Sequence, residues 1–340
     1  MIKVRSGPCG ATLRDVSRGL NLRDSAPIVI GLVNNMPDAA LQATERQFCD
    51  LLGEASPGLL ILVRFFSIPD LPRSEAGRAY VNRRYEDIRE MLADRLDGLI
   101  VTGAEPHATK LSDEPYWSAM TNIVDWAHDR TTSAVWSCLA AHAAVLHEDG
   151  IQRRLFPEKL SGVFECEKSA DHEIVSGNPS RWRVPHSRHN DLPLDELVAK
   201  NYRVVSTSSE AGADMFIKQG KSLSIYLQGH PEYDPAALFR EYRRDIRAFV
   251  ARETDRYPNL PHGYFDDETT QAFGEFRARA VEDRKTHVPL NFPEAEATLP
   301  YDWHDPAVRL YTNWLSYLVE HRHPDNRTRR SRSAGASQAA

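Results

Sequence analysis

Short apolar runs alternate with longer segments of helical periodicity through the first 150 residues, and this alternation constrains the fold more than any other feature. The runs lie at 27–33, 59–63, 96–103 and 133–136, and glycine or polar residues close them. Strands that are apolar on both faces are typical of a parallel sheet buried between helices. The sequence therefore predicts an α/β fold with a mostly parallel sheet flanked by helices.

Helical segments separate these runs. Their apolar residues recur every three to four positions, as on the face of a helix that packs against a sheet. We predict helices at about 40–52, around 85–91, at 116–128 and at 139–146.

The pattern changes after Gly150, where the segments become shorter and more polar. A β-hairpin is predicted only for residues 215–227, which hold two β-rich runs around a Gln-Gly-Lys turn. Asp234 is the predicted N-cap of a helix with an apolar stripe from Leu238 to Phe249. Two further helices are predicted at 269–283 and 308–320.

The predicted domain organisation is simple. Residues 1–25 form an N-terminal extension, residues 26–324 a single α/β domain, and residues 325–340 a disordered tail rich in arginine and small residues.

Charge and composition exclude several classes of protein. With 48 acidic and 42 basic side chains the net charge is −6, and no basic patch indicates nucleic-acid binding. No apolar run approaches the roughly 20 residues that a membrane span needs, so we expect a cytoplasmic protein. The four cysteines, at positions 9, 49, 138 and 166, fit free thiols, and the histidines and acids show no metal-ligand spacing.

Cys138 is the first candidate for chemistry because it follows the predicted strand 133–136 and precedes a predicted helix. Ligands of open α/β sheets collect at the carboxyl ends of the strands. A helix N-terminus favours a thiolate and offers backbone N–H groups to an oxyanion. The alternative is a small buried core thiol, which is the commoner state of a single cysteine.

His230 and Glu232 supply what a thiol nucleophile needs. An imidazole takes the proton of the thiol, and a carboxylate orients the imidazole and stabilises its cation. The two residues follow the second strand of the predicted hairpin, and side chains at i and i+2 share a face of extended chain. We therefore predict a Cys138, His230 and Glu232 triad.

Seven ordered segments between about residues 28 and 320 resemble the homoserine O-succinyltransferase/O-acetyltransferase family. The fold of this family is flavodoxin-like and matches the class I glutamine amidotransferases. The matching segments are Asn35-Met36-Pro37, Leu99-Ile100-Val101-Thr102-Gly103-Ala104, Tyr116-Trp117, Glu158-Lys159-Leu160-Ser161-Gly162-Val163-Phe164, Pro185-His186-Ser187-Arg188, Gly229-His230-Pro231-Glu232-Tyr233-Asp234 and Asn313-Trp314-Leu315.

The resemblance implies a ping-pong acyl transfer, in which a cysteine takes the acyl group from an acyl-CoA and passes it to the hydroxyl of homoserine in methionine biosynthesis. Cys138 then carries the acyl group, His230 accepts the proton and Glu232 orients His230. Lys159, Ser187 and Arg244 match substrate-contacting positions. The resemblance also implies a homodimer that uses acyl-CoA as a co-substrate and needs no cofactor.

Several residues near the predicted site depart from the family pattern. Leu139 and His142 stand where the family commonly has tryptophan and glutamine, although the backbone N–H of Leu139 remains available to an oxyanion. His107 occupies the position that is linked to the choice of acyl group. Asp38-Ala39 replaces two lysines. We interpret His142 as a hydrogen-bonded helix residue, with a second titrating group near the thiolate as the alternative.

The residues themselves are compatible with other functions. The acyl donor is succinyl-CoA or acetyl-CoA, and serine or another hydroxyl compound is an alternative acceptor. Amide hydrolysis of the glutamine amidotransferase type is a second enzyme class, although the elbow Trp136-Ser137-Cys138-Leu139-Ala140 lacks the usual glycines of that type. A catalytically silent binding protein is the third possibility.

Overall fold

The computed structural model describes residues 2–5, 26–284, 292–293 and 299–323. The predicted disordered tail lies outside these residues. The first half of the chain forms β1 (Ile2–Arg5), β2 (Ile28–Val33), α1 (Leu41–Glu54), β3 (Ile61–Phe66), α2 (Glu75–Arg84), α3 (Ile88–Ala93), β4 (Gly98–Val101), α4 (Trp117–Arg130), β5 (Ser133–Ser137) and α5 (Leu139–Asp149).

The second half contributes the longer strands and three long helices. Its elements are β6 (Arg154–Lys168), β7 (Arg181–Asp191), α6 (Leu194–Ala199), β8 (Arg203–Ser208), β9 (Gly212–Gln219), β10 (Leu223–Leu227), α7 (Ala237–Val250), α8 (Asp267–Asp283) and α9 (His304–Glu320).

Within the described residues, all ten strands belong to one sheet in the order β1-β3-β2-β4-β5-β10-β9-β8-β6-β7. Pairing is parallel from β1 to β10. It is antiparallel from β10 to β7. The predicted α/β class is confirmed, and four residues of the predicted N-terminal extension form the edge strand β1.

Helices cover both faces of the parallel half, as the doubly apolar strands require. Along β5, Val135 packs with α1 and α9 on one face, whereas its neighbours Ala134 and Trp136 pack with α4 and α5 on the other. A third apolar cluster lies between α7 and α8. The strand β5 is fully buried as a result.

The sequence pattern predicts no element between Gly150 and residue 215, yet residues 154–208 form the three strands β6, β7 and β8 and the short helix α6. Polar side chains occupy inward positions there, so apolar alternation is lost. His186 and Arg188 of β7 are both buried. Pro185 is accommodated because β7 is the edge of the sheet, where no further strand needs its missing N–H.

Two helix starts also differ from prediction. Asp234 is not the N-cap of α7: the helix begins at Ala237, and the Asp234 side chain accepts the N–H of Ala236 at 2.9 Å in the preceding turn. The segment around Tyr85 is not one helix, because the chain is extended at Tyr85 and Asp87 caps α3. Among the described helices, none combines the length and apolarity that crossing a bilayer demands.

Candidate active site

Cys138 occupies a strained turn between β5 and α5. Its backbone has φ +52° and ψ −113°, a region that residues with a side chain rarely adopt. Such a conformation costs about 1–3 kcal/mol and persists only where the surroundings enforce it. The Cys138 N–H donates to the carbonyl of Leu227 at 2.7 Å, which ties the turn to the end of β10.

The parallel pairing of β5 with β10 brings the predicted base to this turn. Leu227 lies opposite Ser137, and the chain continues from Leu227 to His230. The N–H of His230 donates to the carbonyl of Pro185 at 2.7 Å. The side chain of His230 hydrogen-bonds Cys138, so the strand-end thiol and the imidazole from a later segment meet.

Glu232 completes the arrangement on the other side of the ring. Its Oε1 lies 2.9 Å from Nδ1 of His230, and both residues are buried. Burial lowers the pKa of His230, but the charge of Glu232 and the contacts with Cys138 outweigh burial and raise it well above its ordinary value. The ring therefore holds a proton beside the sulfur, which is the state that stabilises a thiolate.

A half-buried carboxylate, Glu241, joins the triad to the predicted substrate residues. The ring of Tyr233 stacks on His230 with 4.3 Å between centroids, and its hydroxyl donates to Glu241. The other oxygen of Glu241 accepts from Ser187 Oγ and from Lys159 Nζ, the latter at 3.4 Å. Burial raises the pKa of Glu241, but Lys159, Ser187 and Tyr233 together lower it to about 2.

The predicted cations both have acidic partners. Lys159 Nζ lies 2.7 Å from an oxygen of Asp245, and Arg244 lies 2.8 Å from the other oxygen of the same carboxylate. Arg244 is largely exposed. The three predicted substrate residues Lys159, Ser187 and Arg244 therefore converge on two acids of α7, Glu241 and Asp245.

The loop after β4 passes close to the turn of Cys138. A Cβ atom on Gly103 would lie 2.6 Å from Cβ of Leu139, so only glycine allows this approach. Leu139 is the first residue of α5, where the N–H groups have no partner within the helix. His107 is exposed farther along this loop, and Oε1 of the buried Glu114 accepts the N–H groups of His107 and Ala108.

Comparison with known proteins identifies the family. The family model for homoserine O-succinyltransferase matches residues 18–325. The chain belongs to the homoserine O-succinyltransferase family. It is 47% identical over 299 residues to a homoserine O-succinyltransferase of Rhodopseudomonas palustris, with 86% of this chain and 88% of that protein covered. It is 45% identical to one of Methylorubrum extorquens, with 86% and 87% covered.

The solved structures agree on the fold. A glutamine amido transferase from Methylobacillus flagellatus superposes with a TM-score of 0.50 at 14% identity, over 86% of this chain and 96% of that chain. At that identity the likeness concerns the fold alone. The predicted homoserine acyltransferase resemblance and the amidotransferase-like fold are both confirmed.

A departure from the family pattern is explained by the structure. Asp38, which stands where the family commonly has lysine, accepts the backbone N–H of Ser74 at 2.8 Å and its hydroxyl at 2.7 Å. Arg73 lies 3.1 Å from the same carboxylate and donates to the carbonyl of Met36. Its side chain is only 5% exposed. In this chain the loop after β2 therefore contacts the guanidinium group of Arg73, a residue that lies just before α2.

A second cluster, Cys166, His186 and Asp214, has the residue types of a metal site, and its possible ligand atoms lie within 4.8 Å of one another. The contact between His186 and Arg188 decides which ring nitrogen of His186 carries the proton. Arg188 Nε faces Nδ1 of His186 at 3.4 Å, so that nitrogen accepts. The proton then sits on Nε2, which lies 3.3 Å from Asp214 but forms no hydrogen bond with a described residue. A metal would need the lone pair of Nε2; the expectation of no metal site stays a prediction.

The sequence pattern did not predict Glu241 and Tyr233 as residues of the site. Tyr233 lay inside the recognised Gly229–Asp234 segment, and Glu241 lies one helical turn before Arg244. Residues three and four apart share a helix face, so Glu241, Arg244 and Asp245 formed a readable acidic and basic stripe.

Proposed function

We propose that this protein is an acyltransferase that moves the succinyl group of succinyl-CoA to the hydroxyl of homoserine, a step of methionine biosynthesis. One observation carries the proposal: a thiol on a strained strand-to-helix turn bonds a buried imidazole backed by a carboxylate. The family supports the succinyl donor, since its similar members from two organisms carry that name.

In the first half-reaction the Cys138 thiolate attacks the thioester carbonyl of succinyl-CoA. A carbon–sulfur bond forms, the carbonyl oxygen becomes an oxyanion, and the N–H of Leu139 is the proposed donor to it. Collapse of the intermediate breaks the bond to the sulfur of CoA. His230 gives its proton to that sulfur, so CoA leaves as a thiol and Cys138 holds the succinyl group as a thioester.

In the second half-reaction the hydroxyl of homoserine attacks this thioester. His230, now neutral, takes the hydroxyl proton as the oxygen–carbon bond forms. The bond to Cys138 then breaks, which releases O-succinylhomoserine and restores the thiolate beside a protonated ring. Glu232 keeps Nδ1 of His230 as a donor in both steps, so Nε2 is the nitrogen that exchanges protons.

Recognition of a zwitterionic acceptor needs a cation for its carboxylate and an acid for its ammonium group. Arg244 is the proposed partner of the carboxylate, and Glu241 is the proposed partner of the ammonium group. Binding then exchanges internal ion pairs for substrate ion pairs, since Arg244 pairs with Asp245 and Glu241 with Lys159 in the free protein. Lys159 and Ser187 are proposed to steady Glu241 and the reacting hydroxyl.

The reaction as proposed needs acyl-CoA as its only co-substrate and no cofactor. His107, on the loop held by Glu114, is the proposed contact for the acyl group. The homodimer and the cytoplasmic location implied by the resemblance remain predictions.

A matrix of donors and acceptors tests the proposal. Purified protein is incubated with succinyl-CoA or acetyl-CoA, first alone and then with homoserine, serine or glutamine. We expect a succinyl adduct on the Cys138 peptide by mass spectrometry, and O-succinylhomoserine only after homoserine is added. Cys138→Ser is the blank.

The other arms of the matrix decide between the alternatives. A preferred acetyl adduct would identify acetyl-CoA as the donor in place of succinyl-CoA. Formation of O-acylserine would identify serine as the acceptor in place of homoserine, and release of ammonia from glutamine would indicate amide hydrolysis. The absence of any Cys138 adduct would overturn acyl transfer altogether.

A further inference from the structure

His142 lies on α5 one helical turn beyond Cys138, and the proposed chemistry gives it no task. It is only 2% exposed. Its N–H donates to the carbonyl of Cys138 at 3.3 Å, and its Nε2 lies 3.0 Å from Oε1 of Gln228. Gln228 in turn is the residue that links β10 to the segment of His230. The contact thus joins the helix of the nucleophile to the strand end of the base.

Gln228 is fully buried and each of its polar positions is in use. Its amide nitrogen donates to the carbonyl of Ala213 at 2.6 Å and to Asp191 at 3.2 Å. Its Oε1 accepts the backbone N–H of Leu192 at 3.1 Å as well as the contact from His142. A backbone N–H can only donate, so the orientation of the amide is fixed and the partner atom on His142 must carry hydrogen.

The protonation of His142 follows from this geometry. Nε2 carries the only proton, and Nδ1 has no partner among the described residues. Burial, with Arg188 and Arg153 near by, lowers the pKa of His142 to about 3. The ring is therefore a neutral donor at any pH at which the thiolate and imidazolium pair exists. It is not a second titrating group of the site.

Two elements that are joined by a single hydrogen bond can still rotate about that bond. A further hydrogen bond at another point prevents this rotation. The first bond here is the one from Cys138 N–H to Leu227 at 2.7 Å, at the start of α5. The bond from His142 to Gln228 is another, one turn into the same helix and one residue along the same strand end. Tyr226 of β10 also donates to Glu148 near the far end of α5 at 2.8 Å, so the bond from His142 is the restraint beyond the first residue of α5 that lies nearer to Cys138. The three bonds together fix α5 against β10 and the segment that carries His230.

We propose that His142 is a positioning residue, whose neutral hydrogen bond to Gln228 holds the Cys138 sulfur at the distance and angle at which it pairs with His230. The inference rests on the proposed Cys138 and His230 pair. A misplacement of about 1 Å in such a pair costs up to roughly 100-fold in rate.

Alkylation of Cys138 by iodoacetamide over a range of pH tests this without any substrate. The rate is followed on the Cys138 peptide by mass spectrometry, so the other thiols do not interfere. His142→Leu keeps the apolar bulk and removes the donor. We expect it to slow alkylation at pH 7 by roughly 10-fold or more and to move the midpoint of the pH profile upward.

Two further variants separate positioning from folding. His142→Gln places a neutral amide donor at the same position, so we expect it to restore the wild-type profile to within about threefold. His147→Leu makes the same change on the same helix at a partly exposed histidine that contacts Asp125. We expect His147→Leu to leave the profile unchanged.

An unaltered alkylation profile in folded His142→Leu would overturn the inference, as would a profile for His142→Gln no better than that of the leucine variant. Should H142L not fold, His142→Asn takes its place, because its shorter amide cannot reach Gln228. The readout is independent of the proposed acyl transfer. If no donor and acceptor pair gave a product but the alkylation profile of His142→Leu were shifted, the proposed function would be refuted and the positioning role of His142 would still hold.

Discussion

The sheet has two halves that contribute differently to the site. The parallel half, β1 to β5, is built from short strands that are mostly buried on both faces, and it presents Cys138 on a strained turn. The antiparallel half, β6 to β10, includes the two longest strands, β6 and β7, which carry polar residues on their inner faces, and it presents His230 and most candidate substrate contacts. Strands that are buried on both faces thus hold Cys138, while strands with polar inner residues hold most of its proposed partners.

The proposed catalysis is most sensitive to changes where the two halves of the sheet meet. The two halves join at the pairing of β5 with β10, and Cys138 and His230 lie just beyond that seam on opposite sides of it. Neither half contains a complete site. Substitutions in the antiparallel half should alter proton transfer and substrate recognition, whereas substitutions at the seam should alter stability. Relief of the strain at Cys138 in the parallel half should give a more stable protein without activity.

The largest expected effect comes from the carboxylate of the antiparallel half. Glu232→Gln removes the charge that contributes most to raising the pKa of His230, so the ring holds its proton beside Cys138 less firmly. We expect kcat to fall by roughly 10²- to 10⁴-fold, measured with succinyl-CoA and homoserine.

Glu210→Gln is the matched control. It alters another contact between histidine and glutamate, the exposed pair of His262 and Glu210 at 3.4 Å. We expect activity close to wild type for this variant. Equal losses in the two variants would contradict the role of Glu232.

The second effect concerns Glu241 and depends on pH. The folded pKa of about 2 lies below the ordinary 4.5, so the carboxylate stabilises the fold above pH 4.5. That contribution is lost as the pH falls from 4.5 through 2. We expect Glu241→Gln to lower the free energy of unfolding by about 1–3 kcal/mol at pH 7, and the difference from wild type to shrink toward pH 2 in urea titrations.

Glu165→Gln is the control for this titration: Glu165 is an exposed carboxylate of β6 that pairs with Arg181 of β7. Exposed ion pairs contribute about 0–1 kcal/mol, so its curve should follow that of wild type. A pH-independent difference for Glu241→Gln would show that its charge does not carry the effect.

The seam itself gives the third prediction. Ser133 on β5 donates to the carbonyl of Leu223 on β10 at 2.7 Å and accepts from Nε1 of Trp314 at 3.0 Å. Ser133→Ala leaves the buried indole N–H without that acceptor, so we expect a loss of about 1–2 kcal/mol in thermal or urea unfolding. Ser316→Ala, on the exposed face of α9, should change stability by less than about 0.5 kcal/mol.

The smallest effect is a gain. Cys138→Gly removes the nucleophile and also the strain of a side chain at φ +52°, so we expect a protein without transferase activity that is about 1 kcal/mol more stable. Asn201→Gly makes the corresponding change at φ +63°, away from the chemistry, and should keep full activity. A destabilised Cys138→Gly would show that the turn stores no strain.

The two halves also differ in how well the sequence predicted them. The doubly apolar runs that became β2, β4 and β5 were recognised because burial on both faces excludes polar residues from such strands. The strands β6 and β7 were missed because polar residues such as His186 and Arg188 occupy their inner faces. The hairpin of β9 and β10 was recognised because a short turn between two apolar runs is a local signal.

The sequence by itself determined the class of fold and the family, and it pointed to Cys138, His230 and Glu232 as the proposed nucleophile, base and carboxylate. Each of these leaves a local pattern: an apolar run, a strand-end cysteine, a histidine two residues before a glutamate. Only the tertiary structure decided that Glu241 gathers Lys159, Ser187 and Tyr233, and that His142 meets Gln228. These contacts join residues far apart in the chain, and no local pattern records which polar side chains a folded sheet brings together.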